Sequence, residues 1–171
     1  MPEKSTPQTT TSQHDPQRDL IARAIFVHDG ALLVNKSRNA KTGDEYFALP
    51  GGHVDAGESC AQAVIRECEE ELAAQIEIHD LCFVSESVYA GRKKSETSRH
   101  ELVMYFHASL ASELQTNGVE IFSPEKDKRF QWLALEELAD ANLLPASVKG
   151  FILALLADQE FPHYAFSDST R

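Results

Sequence analysis

The chain has 171 residues, enough for one domain with a sizeable core. Hydrophobic residues make up 42% of it and charged residues 25%, and no apolar run approaches the roughly 18 residues that a membrane span needs. The formal net charge of −11 argues against non-specific binding to nucleic acid or to an anionic membrane, and a phosphate-bearing ligand would need a bridging cation.

Polar residues dominate the N-terminal segment 1–18, in which Met1 is the only large apolar residue. Such a composition predicts a disordered tail. Downstream of it, runs of apolar and β-branched residues predict strands at 20–28, 31–35, 46–49, 76–78, 81–89, 101–110 and 130–133. The dipeptide Asp29-Gly30 predicts a tight hairpin between the first two of these strands.

The first predicted helix covers residues 59–72. Ser59 and Gln62 have the spacing of a capping box, which marks the start of a helix. Apolar residues from Ala61 to Leu72 fall on one stripe at helical spacing, so one side of this helix is expected to be buried.

The C-terminal part predicts two more helices, at 135–144 and 146–159, separated by Pro145. Residues 161–171 are expected to form a loose end. Strands interrupted by helices predict an α/β fold with a mixed sheet, in a single domain at residues 19–160.

The first helix carries a group of carboxylates on one side. With Glu67 at zero on a helix that turns 100° per residue, Glu71 lies at about 40° and Glu70 at about −60°. Like charges within this arc repel one another and, near the helix C-terminus, oppose the helix dipole. A divalent cation would relieve that repulsion, and carboxylate oxygens suit Mg²⁺, with Mn²⁺ as a substitute. Taken alone, however, the carboxylates fit a solvated helix face better than a metal site.

The residues around these carboxylates favour a functional site. Arg66 lies next to Glu67 and four residues before Glu70, so it can brace the group through charge-assisted hydrogen bonds. Glu58 would reach the same guanidinium if the chain bends at the start of the helix. The preceding loop, residues 51–57, contains three glycines, which permit close approach of the backbone to a ligand. A backbone carbonyl of this loop is therefore a further candidate metal ligand.

Segment 52–74, GHVDAGESCAQAVIRECEEELAA, resembles the Nudix box, G-x5-E-x7-R-E-U-x-E-E-x-G-U, where U is a bulky apolar residue. The polar and glycine positions of that motif are matched by Gly52, Glu58, Arg66, Glu67, Glu70 and Glu71. Ala73 stands where the family has the glycine that ends the helix. Because a positive φ is unfavourable for alanine, we expect a different cap there. The wider pattern extends the resemblance to residues 20–159, and it implies a Nudix-type α/β/α sandwich with a mixed β-sheet.

The resemblance implies Mg²⁺-dependent hydrolysis of a diphosphate linkage in a nucleoside diphosphate derivative, such as an NTP, an NDP or an NDP-sugar. Water would attack phosphorus. The implied metal ligands are the Gly51 carbonyl, Glu67, Glu70 and Glu71. The implied catalytic residues are Arg66, Glu67, Glu70 and Glu101. The general base is left open between Glu67 in the motif and Glu101 at the start of a later strand.

A basic loop at residues 91–99 is the densest positive patch of this acidic chain. Arg92, Lys93 and Arg99 are its candidates for contact with substrate phosphate or a terminal sugar. Arg38, which follows the second strand, is a candidate for the same cleft.

Two alternative functions stay open at this point. An RNA 5′-end pyrophosphohydrolase uses the same chemistry, although the net charge of −11 argues against so large a polyanion. A non-catalytic nucleotide sensor on the same fold is the other, although sensors usually lack some of the motif carboxylates. The resemblance also permits a homodimer. Three cysteines without a C-x-x-C pair favour a reducing cytoplasm over an oxidising compartment.

Overall fold

The computed structural model describes residues 17–89, 99–116, 120–157, 159–160 and 162–168. Within these residues, the strands are β1 Gln17–Ile25, β2 Val27–His28, β3 Ala31–Arg38, β4 Glu45–Ala48, β5 Gly51–His53, β6 Ile76–Tyr89, β7 Arg99–Leu110, β8 Phe130–Ala134 and β9 Tyr164–Asp168. The helices are α1 Cys60–Leu72 and α2 Ala146–Leu156, with a short 3-10 turn at Leu135–Glu137.

The strands form two sheets. The larger sheet has the order β5-β1-β7-β6-β9 and is mixed, because β1 and β7 run parallel, as do β6 and β9. The smaller sheet is antiparallel, with the order β2-β3-β4 and with β8 beside β3. This confirms the predicted α/β class with a mixed sheet.

Alternate residues of β1 point into two separate cores, as the period of a strand requires. Ile21 and Ile25 belong to the core that α2 covers. Ala22 and Ala24 belong to the core that α1 covers. The two helices therefore lie on opposite faces of the larger sheet, which gives the predicted α/β/α sandwich.

The predicted hairpin at Asp29-Gly30 is confirmed. Both residues have positive φ, 47° and 73°, and they join β2 to β3. The single strand expected at 20–28 is instead two: β1 pairs in the larger sheet and β2 in the smaller one. Phe26 separates them, and its ring is buried against α1.

Gly51 to His53 form strand β5 rather than part of a loop. They pair antiparallel with β1, where Gly51 lies opposite Arg23. Gly51 has a φ of 116°, and a Cβ at this position would overlap the Ala22 carbonyl oxygen. The glycine therefore lets the chain approach the sheet closely enough to pair with it.

The helix predicted at 135–144 was wrong beyond its first turn. After the 3-10 turn, the backbone bonds to β4: Phe47 N–H donates to Asn142 O at 2.8 Å, and Leu144 N–H donates to Phe47 O at 2.9 Å. Leu138 and Leu143 are buried. Pairing with β4 thus outweighs the local helical pattern, and Pro145 disfavours a helical conformation at Leu144.

The loose end expected at 161–171 contains a strand. β9 pairs parallel with β6 from Val84↔Tyr164 to Val88↔Asp168. The predicted tail, residues 1–18, lies outside the described residues except for Gln17 and Arg18, which begin β1. Among the described residues, no helix is long and apolar enough to cross a membrane.

The end of α1 differs from expectation. Ala73 itself takes the left-handed conformation, with φ 51° and ψ 34°, and its N–H donates to Glu69 O at 3.0 Å. The expected alternative cap is not used. The buried residues on both sides, Leu72 and Ala74, fix this turn where the chain passes from the helix towards β6.

Ala73→Gly is expected to raise the free energy of unfolding by about 0.5–1 kcal/mol, because glycine takes positive φ without the steric cost that alanine bears. Thermal denaturation should show a higher Tm, since each kcal/mol gained in unfolding free energy raises Tm by about 2–4 °C in a chain of this length. The matched control Ala74→Gly should lower Tm, since Ala74 is buried and has no positive φ. Equal shifts in the two variants would contradict this explanation.

Candidate active site

Strand β5 and helix α1 meet at Gly52 and Glu67. A Cβ on Gly52 would overlap the Glu67 carboxylate, so only glycine leaves room for that side chain beneath the strand. The Glu67 side chain is 16% exposed. The first glycine of the motif thus allows the carboxylate to lie against the backbone of the glycine-rich segment.

Arg66 is the hub of the motif. Its Nε donates to Glu58 Oε2 at 3.2 Å and its Nη2 to Glu58 Oε1 at 2.7 Å, a two-pronged pair that confirms the predicted contact. Nη1 donates to Glu67 Oε1 at 3.0 Å and to Glu70 Oε2 at 3.4 Å. Nη2 also donates to the His53 carbonyl at 3.0 Å. One guanidinium therefore fixes three motif carboxylates and the end of β5.

This pairing has electrostatic consequences for both partners. The hydrogen bond from Arg66 lowers the pKa of the Glu58 carboxyl, and the Asp55 N–H contributes a second hydrogen bond at 2.7 Å. The same pair raises the pKa of Arg66. Both shifts favour the charged forms that the Arg66–Glu58 pair requires.

Glu71 faces away from that hub. Its side chain is only 1% exposed; Oε2 accepts a hydrogen bond from Gly51 N–H at 2.9 Å, and Oε1 is paired with Lys128. Burial raises the pKa of the Glu71 carboxyl, while the Lys128 ammonium opposes that increase. Glu71 and Lys128 therefore tie α1 to β5 and to the segment before β8.

The Gly51 carbonyl, one of the predicted metal ligands, accepts a hydrogen bond from Arg23. Arg23 Nη1 also donates to the Leu49 carbonyl at 2.9 Å. Gly51 is thus held from two directions, by Arg23 at its carbonyl and by Glu71 at its N–H.

Glu101 lines a cavity of about 410 Å³ on the α2 face of the larger sheet. Its Oε1 accepts a hydrogen bond from the Tyr89 hydroxyl. Arg23 and Leu49 also line this cavity, which places it beside the Gly51 segment. Glu101 therefore lies at a cavity beside the Gly51 segment, and the lining of this cavity includes none of the motif residues of α1.

Not every predicted substrate contact lies at this cleft. Arg99 pairs with the buried carboxylate of Asp19, and this pair raises the pKa of Arg99. Arg38 lies in the β3–β4 hairpin, where it donates to Glu45 Oε1 at 3.4 Å and is 70% exposed. Arg92 and Lys93 lie outside the described residues.

Sequence reasoning missed Arg23 and Lys128. Arg23 had a detectable signal, because it is a charged residue in the middle of the apolar run LIARAIF. Lys128 had none, since it belongs to a polar stretch with several similar residues. A larger cavity of about 670 Å³, lined in part by Phe26, His107 and Trp132, contains none of the predicted site residues.

The oxygen donors of the motif bear on whether Mg²⁺ can bind here. Among the described residues, no group of three or more His, Cys, Asp or Glu side chains lies close enough together to enclose a metal ion. Glu67 and Glu70, which share Arg66, nevertheless offer oxygen ligands on neighbouring helical turns. Since Mg²⁺ commonly uses one or two carboxylates and keeps several waters, the chemistry of these donors fits it.

The fold and the site define a class: a carboxylate-bearing helix packed on a mixed sheet behind a glycine-rich segment. The family model for the NUDIX domain matches residues 18–153. The chain belongs to this family.

The chain is similar to bis(5′-nucleosyl)-tetraphosphatase [asymmetrical] of Mus musculus, with 34% identity over 101 residues, 57% of this chain and 62% of that protein. It thus spans less than two thirds of that relative's length. The crystal structure of a MutT NUDIX hydrolase from Burkholderia pseudomallei is 28% identical, with a TM-score of 0.53, covering 70% of this chain and 85% of that one. The crystal structure of a NUDIX hydrolase from Nitrosomonas europaea is 18% identical, with a TM-score of 0.62. The match covers 92% of this chain and 82% of that one, and it shows that the two share a fold.

Proposed function

We propose that the protein is a Mg²⁺-dependent pyrophosphohydrolase that cleaves a phosphoric anhydride linkage in a small nucleotide derivative. The observation that carries the proposal is the Arg66 hub, which holds Glu67 and Glu70 together beside the glycine-rich segment. Membership of the NUDIX family and the similarity to a mouse protein called a bis(5′-nucleosyl)-tetraphosphatase support it.

The metal would be held by Glu67 and Glu70, and the Gly51 carbonyl would join them if it exchanged Arg23 for the cation. When bound, it would neutralise phosphate oxygens and stabilise the negative charge that develops on the leaving group. Arg66 keeps the two carboxylates in place and stays charged. Gly52 leaves the space that the Glu67 side chain needs.

Glu71 is the fourth predicted metal ligand, but its carboxylate already has other partners. In the present arrangement its two oxygens bind Lys128 and Gly51 N–H. To bind metal, Glu71 would have to exchange Lys128 for the cation. In the structure, Glu71 instead orients the Gly51 segment by accepting a hydrogen bond from Gly51 N–H.

Water would attack a phosphorus atom, with Glu67 or Glu101 as the general base. Glu101 lines the cavity beside the Gly51 segment, and Tyr89 orients its carboxylate through a hydrogen bond. Glu67 Oε1 already accepts a hydrogen bond from Arg66, and Glu67 is also a proposed metal ligand, so its oxygens have other partners. Glu101 is not a proposed ligand and is therefore the favoured group to take the proton from water.

The substrate class follows from charge and from similarity. A protein with a net charge of −11 suits a small nucleotide bound through a divalent cation better than a long polyanion. Because the mouse relative is called a bis(5′-nucleosyl)-tetraphosphatase, the bis(5′-nucleosyl) tetraphosphates join NTPs, NDPs and NDP-sugars as candidates. The protein would act in the cytoplasm, as a monomer or a homodimer.

A substrate panel tests this function. The full chain is incubated with NTPs, NDPs, NDP-sugars, bis(5′-nucleosyl) tetraphosphate and 5′-triphosphorylated RNA, with Mg²⁺, with Mn²⁺ or with EDTA, and phosphate and nucleotide release are measured. We expect metal-dependent turnover of a small nucleotide. Nucleotide binding without product would indicate the sensor instead, and a preference for the RNA would indicate the 5′-end pyrophosphohydrolase.

A further inference from the structure

Strand β9 lies outside the part of the chain that matches the NUDIX domain, which ends at residue 153. It nevertheless extends the central sheet, because Tyr164–Asp168 pair parallel with β6 along five registered positions. β9 therefore adds an edge strand to the domain, next to β6, which lines the cavity beside the Gly51 segment.

Several contacts hold β9 in place. His163 O accepts a hydrogen bond from Val84 N–H at 2.8 Å, and the His163 ring lies 2.8 Å from the Cys82 carbonyl through Nδ1. The Tyr164 hydroxyl donates to Glu86 on one face of the sheet. On the other face, Ala165 packs against the core under α2. These contacts on both faces give β9 a defined register.

The register of β9 against β6 places Ser167 at the 410 Å³ cavity. Ala165 and Ser167 share the α2 face of the sheet, since strand residues alternate between faces. Ser167 lies opposite Ser87 on β6, and its hydroxyl donates to Ser87 Oγ at 3.0 Å. Both serines line the same 410 Å³ cavity as Glu101.

The cavity combines apolar walls with a row of hydroxyl groups. Leu49, Leu144 and Pro145 contribute apolar surface. The hydroxyl groups come from β6, β7 and β9: Ser85, Ser87, Tyr89, Tyr105 and Ser167. Apolar walls with a few placed polar groups are typical of small-molecule binding sites. The part of a nucleotide that combines flat apolar faces with a polar edge is the base.

We propose that β9 completes the base-binding part of the substrate site and that Ser167 is a specificity-determining residue. This inference rests on the proposed function. The paired Ser87 and Ser167 hydroxyls supply both a donor and an acceptor to the edge of the base. Ser167 binds the non-reacting part of the substrate. Substitutions there should therefore change KM and the preference between bases, and should leave kcat nearly unchanged.

The test uses two substitutions at one position in the full chain, Ser167→Ala and Ser167→Leu. Steady-state kinetics are measured on the best substrate of the panel in its purine and pyrimidine forms. Binding of AMP and of CMP is measured by calorimetry, which needs no turnover. The matched control is Phe166→Leu, because Phe166 is the next residue of β9, lies on the opposite face and is 56% exposed.

Loss of the serine hydroxyl in Ser167→Ala is expected to raise KM by about 3- to 10-fold, the value of one neutral hydrogen bond, with kcat within about 2-fold of wild type. Ser167→Leu places a larger side chain in the cavity and should reduce kcat/KM more for the purine than for the pyrimidine form. Phe166→Leu should leave KM and the purine preference unchanged.

Wild-type KM and wild-type affinity for AMP and CMP in both Ser167 variants would overturn the inference. The same result from Ser167→Ala alone overturns it if Ser167→Leu does not fold. An inactive wild type that binds AMP in a Ser167-dependent way would overturn the proposed function and support the base site. A wild type that neither turns over any nucleotide nor binds AMP or CMP would overturn both.

Discussion

Glu70→Gln is expected to lower kcat on the best nucleotide substrate by about 10²- to 10⁴-fold, equivalent to several kcal/mol of lost transition-state stabilisation. The substitution removes one negative charge from the proposed metal site but keeps the size of the side chain. Glu70 is 54% exposed, so its amide analogue should not disturb the core. Circular dichroism and thermal denaturation should therefore match the wild type.

The neighbouring residue supplies the control for that experiment. Glu69 is also exposed and also acidic, yet it lies outside the arc that contains the motif carboxylates. Glu69→Gln removes the same charge from the same helix and should leave kcat unchanged. If Glu70→Gln kept wild-type rates, the assignment of Glu70 as a metal ligand would be wrong.

Lys128→Met is expected to lower the free energy of unfolding at neutral pH by about 3 kcal/mol, the usual cost of removing one partner from a buried ion pair. Glu71 is 1% exposed and would keep only the Gly51 N–H as a partner. Urea denaturation followed by fluorescence measures the loss. The control Lys126→Met, at an exposed lysine two residues away, should change stability by less than about 0.5 kcal/mol.

The free energy of unfolding of Lys128→Met should depend on pH in one direction. Burial holds the pKa of the Glu71 carboxyl above its ordinary value of 4.5, and loss of Lys128 removes the main opposing influence. The native state then binds more protons than the unfolded state in the interval between 4.5 and the raised pKa, so stability falls as pH rises through that interval. Lys128→Met should therefore approach wild-type stability near pH 4.5 and diverge from it towards neutral pH.

Adding Glu71→Gln to Lys128→Met should recover part of the loss, because the buried charge is then gone. A Lys128→Met variant that stayed as stable as the wild type at neutral pH would show that the Glu71–Lys128 pair does not hold the Gly51 segment.

Local signals in the sequence predicted the parts of the fold that local interactions determine. Ser59 and Gln62 form the predicted capping box. The Asp29-Gly30 turn has the predicted conformation. Alternating apolar residues located most strands. In each of these cases the contacts that stabilise the element lie within a few residues of one another, so their pattern is visible in the sequence.

The predictions failed where distant contacts decide the structure. Segment 135–144 has a helical pattern, but its backbone bonds to β4, almost 100 residues away in the chain. β9 forms because β6 offers a free edge, which nothing in residues 161–171 reveals. Ala73 takes a strained cap because buried neighbours on both sides fix the turn.

The candidate site shows the same division. Spacing along α1 predicted that Arg66 would meet Glu67 and Glu70, and that Glu58 would reach it if the chain bends before the helix; all three contacts are present. It did not predict that Glu71 would turn to Lys128, or that Arg23 would bind the Gly51 carbonyl. Those partners come from other strands and loops and could not be paired from spacing along the helix.

Direct measurement of Mn²⁺ binding, by electron paramagnetic resonance titration without substrate, tests whether Glu67 and Glu70 form a cation site. Wild type and Glu69→Gln should bind Mn²⁺ equally, while the double variant Glu67→Gln/Glu70→Gln should lose at least about 10-fold in affinity and remain folded. Undiminished Mn²⁺ binding by the folded double variant would contradict the account.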